Sequence, residues 1–146
     1  MDGPNDPLPV AVFSEILVIE QMVRNRVSKA LPKGMELSHF SVLNHLARLT
    51  GERSPAQLAK AFHVTRGAMS NTLARLEWAG CIHIRPDWED ARRKMVSISP
   101  TGRSARDAAM SAIDPIITEA VRAAGSEDVR KLLPVLREMR RGLVDP

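Results

Sequence analysis

Two helix-start signals eleven residues apart, at Ser54 and Thr65, constrain this chain more than any other feature. Ser54 is a capping serine, Pro55 follows at the first helical position, and Gln57 three residues on completes a capping box. The helix this opens, Pro55 to Ala61, is short, because Phe62, His63 and Val64 make a turn. Thr65 then caps a longer helix that runs to Ala79 and exits at Gly80, a residue suited to a left-handed C-terminus. Met69, Thr72, Leu73 and Leu76 share one side of that helix and are expected to pack on Leu58, Ala59 and Val64.

The opposite side of the second helix carries the chemistry. An ordinary solvated helix face holds Glu and Lys in pairs, whereas this one holds Arg66, Gly67, Ser70, Asn71 and Ala74. Small residues allow close approach, and Arg, Ser and Asn can bond phosphates or base edges. A helix-turn-helix that reads a groove accounts for this composition better than a solvated surface does.

Directly after Gly80, CIHIR and KMVSIS alternate as short strands, with Ile82 and Ile84 placed to face Val96 and Ile98. The intervening tip, PDWEDARR, sets Asp87, Glu89 and Asp90 against Arg92, Arg93 and Lys94. Taken alone it reads as an exposed loop whose charges balance. Its position after a helix-turn-helix gives the alternative, a wing whose Arg92 and Arg93 probe a narrow minor groove while Asp90 holds one of them.

The flanking segments are helical. The first helix is expected from after Pro9 to about Leu31, and its Val12, Phe13, Ile16, Leu17, Ile19, Met22, Val23 and Val27 cover more than one core-facing stripe. Ser38 is the expected cap of a second helix, HFSVLNHLARL, with Thr50, Gly51 and Glu52 as the following turn. After the hairpin, Ser99 and Pro100 start a helix rich in Ala and Ile that Pro115 should kink and Gly125 ends. Ser126 is the expected cap of the last helix, whose stripe is Val129, Leu132, Leu133, Leu136, Met139 and Leu143, with a second bend at Pro134.

Composition narrows the partners. The net charge is +4, but residues 1–20 carry −4 while residues 21–50 carry +4 and residues 51–100 carry +3, so the positive charge lies in the middle of the chain. With a single cysteine, Cys81, there is no internal disulfide, which suits a reducing cytoplasm. No apolar run approaches the roughly 20 residues of a membrane span, and the acidic N-terminus is unlike a secretory signal, so a cytoplasmic protein without membrane contact is expected. His39 and His45 are six apart, with His63 and His83 in other elements, which does not make a metal site. Neither a nucleophile-base set nor a glycine-rich phosphate loop appears, and no enzyme or cofactor is expected.

From about Leu37 to Gly102 the chain resembles the MarR family of winged-helix transcriptional regulators. Three stretches carry the likeness: SPAQLAKAFHVTRGAMSNTLARLEWAGCI with its Leu-Glu-x-x-Gly exit, the wing pattern Asp90-x-Arg92-x-x-x-Val96, and Ser99-Pro100-Thr101-Gly102-Arg103. The resemblance implies a mainly α fold with a small β hairpin, a winged helix-turn-helix joined to a helical dimerisation domain. It divides the chain into a dimerisation helix over 1–36, a DNA-binding domain over 37–100 and dimerisation helices over 101–146. It further implies a homodimer on a pseudo-palindromic duplex operator, most often a repressor, released by a small and often anionic aromatic effector bound between the two regions.

By that likeness Thr65, Arg66, Gly67, Ala68, Ser70 and Asn71 fall on the groove-facing end of the recognition helix. Arg75 takes a phosphate-contacting place, Arg92 is the wing-tip arginine supported by Asp90, and Arg93 adjoins it. Trp88 stands where proline is common, Ala91 where an extra arginine is common, and Gly67 where proline is frequent. Two other functions compete: a redox-responsive regulator acting through Cys81, and a winged-helix protein-interaction module that binds no DNA.

Overall fold

The structure is a computed structural model that describes residues 3–144; Met1, Asp2, Asp145 and Pro146 of the terminal segments lie outside the described residues. Six helices and one hairpin follow in the order α1 (Leu8–Ala30), α2 (Leu37–Arg48), α3 (Pro55–Ala61), α4 (Arg66–Trp78), β1 (Ile82–Pro86), β2 (Lys94–Ile98), α5 (Pro100–Ala124) and α6 (Ser126–Gly142). This is the expected class, mainly α with a small antiparallel hairpin.

Most helix starts are set locally. The Ser54 box forms in both directions, with the Gln57 amide donating to Ser54 Oγ at 3.2 Å and the Ser54 amide to Gln57 Oε1 at 2.8 Å. Thr65 Oγ1 accepts the Ala68 amide at 3.1 Å. Three expected boundaries move. Helix α1 begins at Leu8, with Pro9 inside its first turn, where a missing N–H is harmless. Helix α2 is capped at Glu36 rather than Ser38, because His39 reaches back with Nδ1 to accept the Glu36 amide at 3.1 Å. Ser126 is the first residue of α6 and not its cap. Gly125, at φ 101°, takes the last carbonyls of α5 with its amide and gives its own carbonyl to the Val129 amide, leaving no separate capping position. Helices α5 and α6 run through Pro115 and Pro134 as single elements.

The larger core joins α2, α3, α4 and the hairpin through Leu43, Leu46, Leu58, Met69, Leu73, Leu76, Ile82 and Val96, all buried. The hairpin register pairs Ile82 with Ile98 and Ile84 with Val96, as the alternation predicts. Val64, expected beneath α4, is instead exposed. A third chain segment that the sequence did not announce closes the sheet: Arg53, just past the expected turn, exchanges backbone hydrogen bonds with Val96 at 3.1 and 2.7 Å. A smaller core of Val27, Leu31, Phe40, Ala109 and Ile113 ties α1, α2 and α5 together. Among the described residues Val27 is the one buried position of α1, and α6 buries none.

The winged region is fastened to α5 by a short set of bonds. Ser99, buried, donates from Oγ to the Gly80 carbonyl at 2.5 Å and accepts the Gly102 amide at 3.0 Å, while its own amide donates to the Cys81 carbonyl at 3.0 Å. Gly102 lies so close beneath Cys81 that an added Cβ would collide with that carbonyl oxygen. Because the clash is with backbone, Gly102→Ala is expected to cost about 3 kcal/mol. The urea midpoint should fall with an unchanged slope, and an unshifted midpoint would show that the joint yields.

Candidate nucleic-acid interface

Helix α4 separates its two sides cleanly. Met69, Leu73 and Leu76 recur at helical spacing into the core, which leaves Arg66, Gly67, Ala68, Ser70, Asn71 and Ala74 exposed on the outside. A Cβ at Gly67 would meet open space, so the outer face there is low rather than crowded. The helix begins at the Thr65 cap, whose bond to Ala68 fixes the direction in which this face is presented.

The hairpin tip is ordered by its own backbone. The Asp87 amide donates to the Arg93 carbonyl and the Arg93 amide to the Asp90 carbonyl, both at 2.9 Å. Asp90 Oδ1 accepts the Arg92 amide at 3.1 Å and Arg92 Nε at 3.2 Å, so the expected support of Arg92 by Asp90 forms. The Arg92 side chain is nevertheless 92% exposed, and a pair so open contributes little to stability; its effect is to aim the guanidinium.

Helix, loop and turn meet in one groove of about 540 Å³. Arg66 and Ser70 come from α4, Arg92, Arg93 and Lys94 from the hairpin, and Ser54 to Gln57 from the start of α3 form the remaining wall. No carboxylate lines it. Of the residues expected to bind, Arg66, Ser70, Arg92 and Arg93 are therefore brought together. Thr65, Gly67, Ala68 and Asn71 lie on the exposed part of α4 outside the groove wall, and Asp90 acts on it through Arg92. Arg75 is not brought to the groove. It lies toward the α1–α2 connection, 3.9 Å from the Glu36 carboxylate, and borders a small cavity with His39 and Leu76. Lys94 and Gln57 were missed as lining residues; the strand register, which pairs Lys94 with Pro86 at the tip end of the hairpin, was the available signal for the first.

Cys81 is buried, and burial pushes its thiol above the ordinary range, which opposes the thiolate a redox sensor needs. The resemblance implies an effector between the DNA-binding and dimerisation regions. A cavity of about 420 Å³ opens between α1, α2 and α4, with Arg24, Ser41, Phe62, Met69 and Thr72 among its walls.

His39, behind the interface, ties α2 to pH. Burial holds its imidazole below the ordinary range; Glu36 opposes that and Arg75 adds to it. On acidification the unfolded histidine takes up its proton first, near its ordinary value of about 6.5. Stability present at neutral pH is therefore lost as pH falls below that value. Gln at position 39 keeps an acceptor for the Glu36 amide and does not titrate. Wild type should lose more melting temperature than His39→Gln on going from about pH 7.5 to about pH 5.5; parallel losses would show that His39 protonation is not coupled to folding.

Residues 33–93 match the model of the MarR family. Among solved structures, the transcriptional regulator BldR from Sulfolobus solfataricus superposes with a TM-score of 0.81 at 23% identity, over 97% of this chain and 100% of that one. A mutant MarR from E. coli complexed with operator DNA gives 0.80 at 19% identity, over 94% and 99% of the two chains. CouR from Rhodococcus jostii bound to p-coumaroyl-CoA gives 0.80 at 18% identity, over 92% and 95%.

Proposed function

We propose that this chain, whose residues 33–93 match the model of the MarR family, is a winged-helix transcriptional regulator that acts as a homodimer, binds a pseudo-palindromic duplex operator, represses transcription and is released by a small anionic aromatic effector. One observation carries the DNA reading above the rest: the groove between α4 and the hairpin holds Arg66, Arg92, Arg93 and Lys94 with no carboxylate in its wall. Four cations at that density suit a polyphosphate backbone, and the neutral outer face of α4 between them suits contact with base edges.

In this reading residues 37–100 form the DNA-binding unit, while residues 1–36 and 101–146 pair the subunits. The exposed Leu17, Ile19, Met22 and Val23 of α1 and Leu132 and Leu133 of α6 support the pairing, since apolar faces of that extent are unfavourable in water. Two paired copies would set two α4 helices about 34 Å apart, one turn of duplex. The cavity bounded by α1, α2 and α4 has Arg24 in its wall, paired in the free chain with Glu20, and an effector carboxylate would take the place of that partner.

Arg92→Ala is expected to weaken binding to most sequences and to lower the salt slope by about one, whereas Asn71→Ala should alter operator preference at one base position by about 1–3 kcal/mol. Binding measured across a salt series would separate the two, and a shallow salt dependence in the unaltered chain would favour a protein-interaction module instead. Leu17→Glu with Ile19→Glu should yield a monomer in sedimentation and lose most operator affinity; an unchanged dimer would move the interface elsewhere.

A further inference from the structure

Trp88 is 81% exposed at the tip of the hairpin, an unusual position for the largest apolar side chain. It is not loose. The Arg85 guanidinium stacks over its ring at 4.5 Å, and Arg85 is itself held by Glu52, with Nη2 to Oε1 at 2.5 Å and Nε to the same oxygen at 3.1 Å. Arg85 Nη1 also donates to the Pro86 carbonyl at 2.8 Å. On the other side in sequence, Asp87 Oδ1 accepts the Glu89 amide at 3.1 Å, so the backbone around the indole is closed by a turn. Arg85 covers one ring face, leaving most of the indole to solvent on the same short loop that aims Arg92.

A clamped, solvent-facing aromatic has little use in the free chain, because Arg85 is already satisfied by Glu52 without it. Asp87 and Glu89 flank it in sequence, but Arg92, Arg93 and Lys94 of the same hairpin line a groove without carboxylates, and that groove is where a polyanion would meet the loop. The geometry points to Trp88 as a second, uncharged contact of the hairpin tip, packing its open face on the deoxyribose and base edges of the minor-groove wall beside the place where Arg92 enters. This inference rests on the reading of the hairpin as a DNA-binding wing. Its consequence is specificity by shape: an indole wedged beside a cation favours a step that opens easily, such as a pyrimidine–purine step, over a stiff A-tract. Because the clamp is preformed, little side-chain freedom is lost on binding.

The chain has two tryptophans and no tyrosine, which makes the test direct. Trp78 is 92% exposed, so Trp78→Phe removes it without disturbing the core and leaves Trp88 as the sole indole emitter. The probe is a fluorescein-labelled duplex recovered by selection from a random-sequence pool, with affinity read by anisotropy. Acrylamide quenching of Trp88 emission should fall on adding the same duplex without its label. Trp88→Ala should weaken binding about tenfold, a loss typical of an aromatic contact, with the salt slope unchanged. Arg92→Ala, by contrast, should change the slope. Quenching that is the same with and without duplex, together with full affinity in Trp88→Ala, overturns the inference while leaving DNA binding intact. No anisotropy change in the unaltered chain removes the DNA-binding reading and this one with it.

Discussion

The Ser99 hydroxyl gives its proton to the Gly80 carbonyl and takes one from the Gly102 amide, and the Ser99 amide reaches the Cys81 carbonyl. Those bonds join the end of α4, the start of β1 and the first turn of α5 within a few ångströms. Ser99, Cys81 and Gly102 are buried, so their groups would be left unsatisfied if a partner moved, and that penalty is larger than the net worth of the bonds. Gly102 makes the approach possible, since any side chain there would strike backbone. The presentation of the α4 outer face and of the hairpin therefore follows the axis of α5 and cannot drift independently of it.

The interface depends on this rigidity because its cations come from separate segments. Arg66 belongs to α4 and Arg92 to the hairpin tip, and they share a groove through the packing of α4 on β1 and the register of β1 with β2. The Arg53 bridge to Val96 fixes the far strand of that register, and Glu52, one residue earlier, anchors Arg85 from the same point. One short segment before α3 thus sets both the tilt of the hairpin and the attitude of Trp88. Asp90, expected from the sequence to support Arg92, directs it through one carboxylate oxygen that accepts both the Arg92 amide and its Nε.

Features written in local chemistry were legible in the sequence. The Ser54–Gln57 box, the Thr65 cap, the Gly80 exit and the pairing of Ile84 with Val96 each depend on residues a few positions apart or on a period of two, and each forms as expected. What escaped depends on long separations. Arg85 meets Glu52 across 33 positions and Ser99 meets Gly80 across 19, distances at which no pattern of types predicts a partner. The displaced cap of α2 failed for a different reason: serine is a strong capping residue, but a histidine three places after Glu36 could return the bond, and burial of that histidine favours the neutral form that accepts. Arg75, given a phosphate-contacting place by likeness, stands exposed and apart from the groove, 3.9 Å from the Glu36 carboxylate.

Helix α2 is the element through which the outer helices can influence the interface. Its Phe40 belongs to the small core with Val27, Ala109 and Ile113, while Val42, Leu43 and Leu46 belong to the larger one. A helix packed on both sides cannot bend at modest cost, so a change in the spacing of α1 and α5 reaches α4 as a displacement of α2 as a whole. The cavity between α1, α2 and α4 sits at that fulcrum, with Met69 and Thr72 of α4 in its wall. If the chain binds DNA as proposed, a ligand there would alter that affinity only to the extent that it prefers one spacing of those helices over the other, however tightly it binds. Under the proposed function, effector strength is thus set by how far the occupied cavity wedges α4 away from α1, and the Arg24 edge governs retention of the anion more than the size of the response.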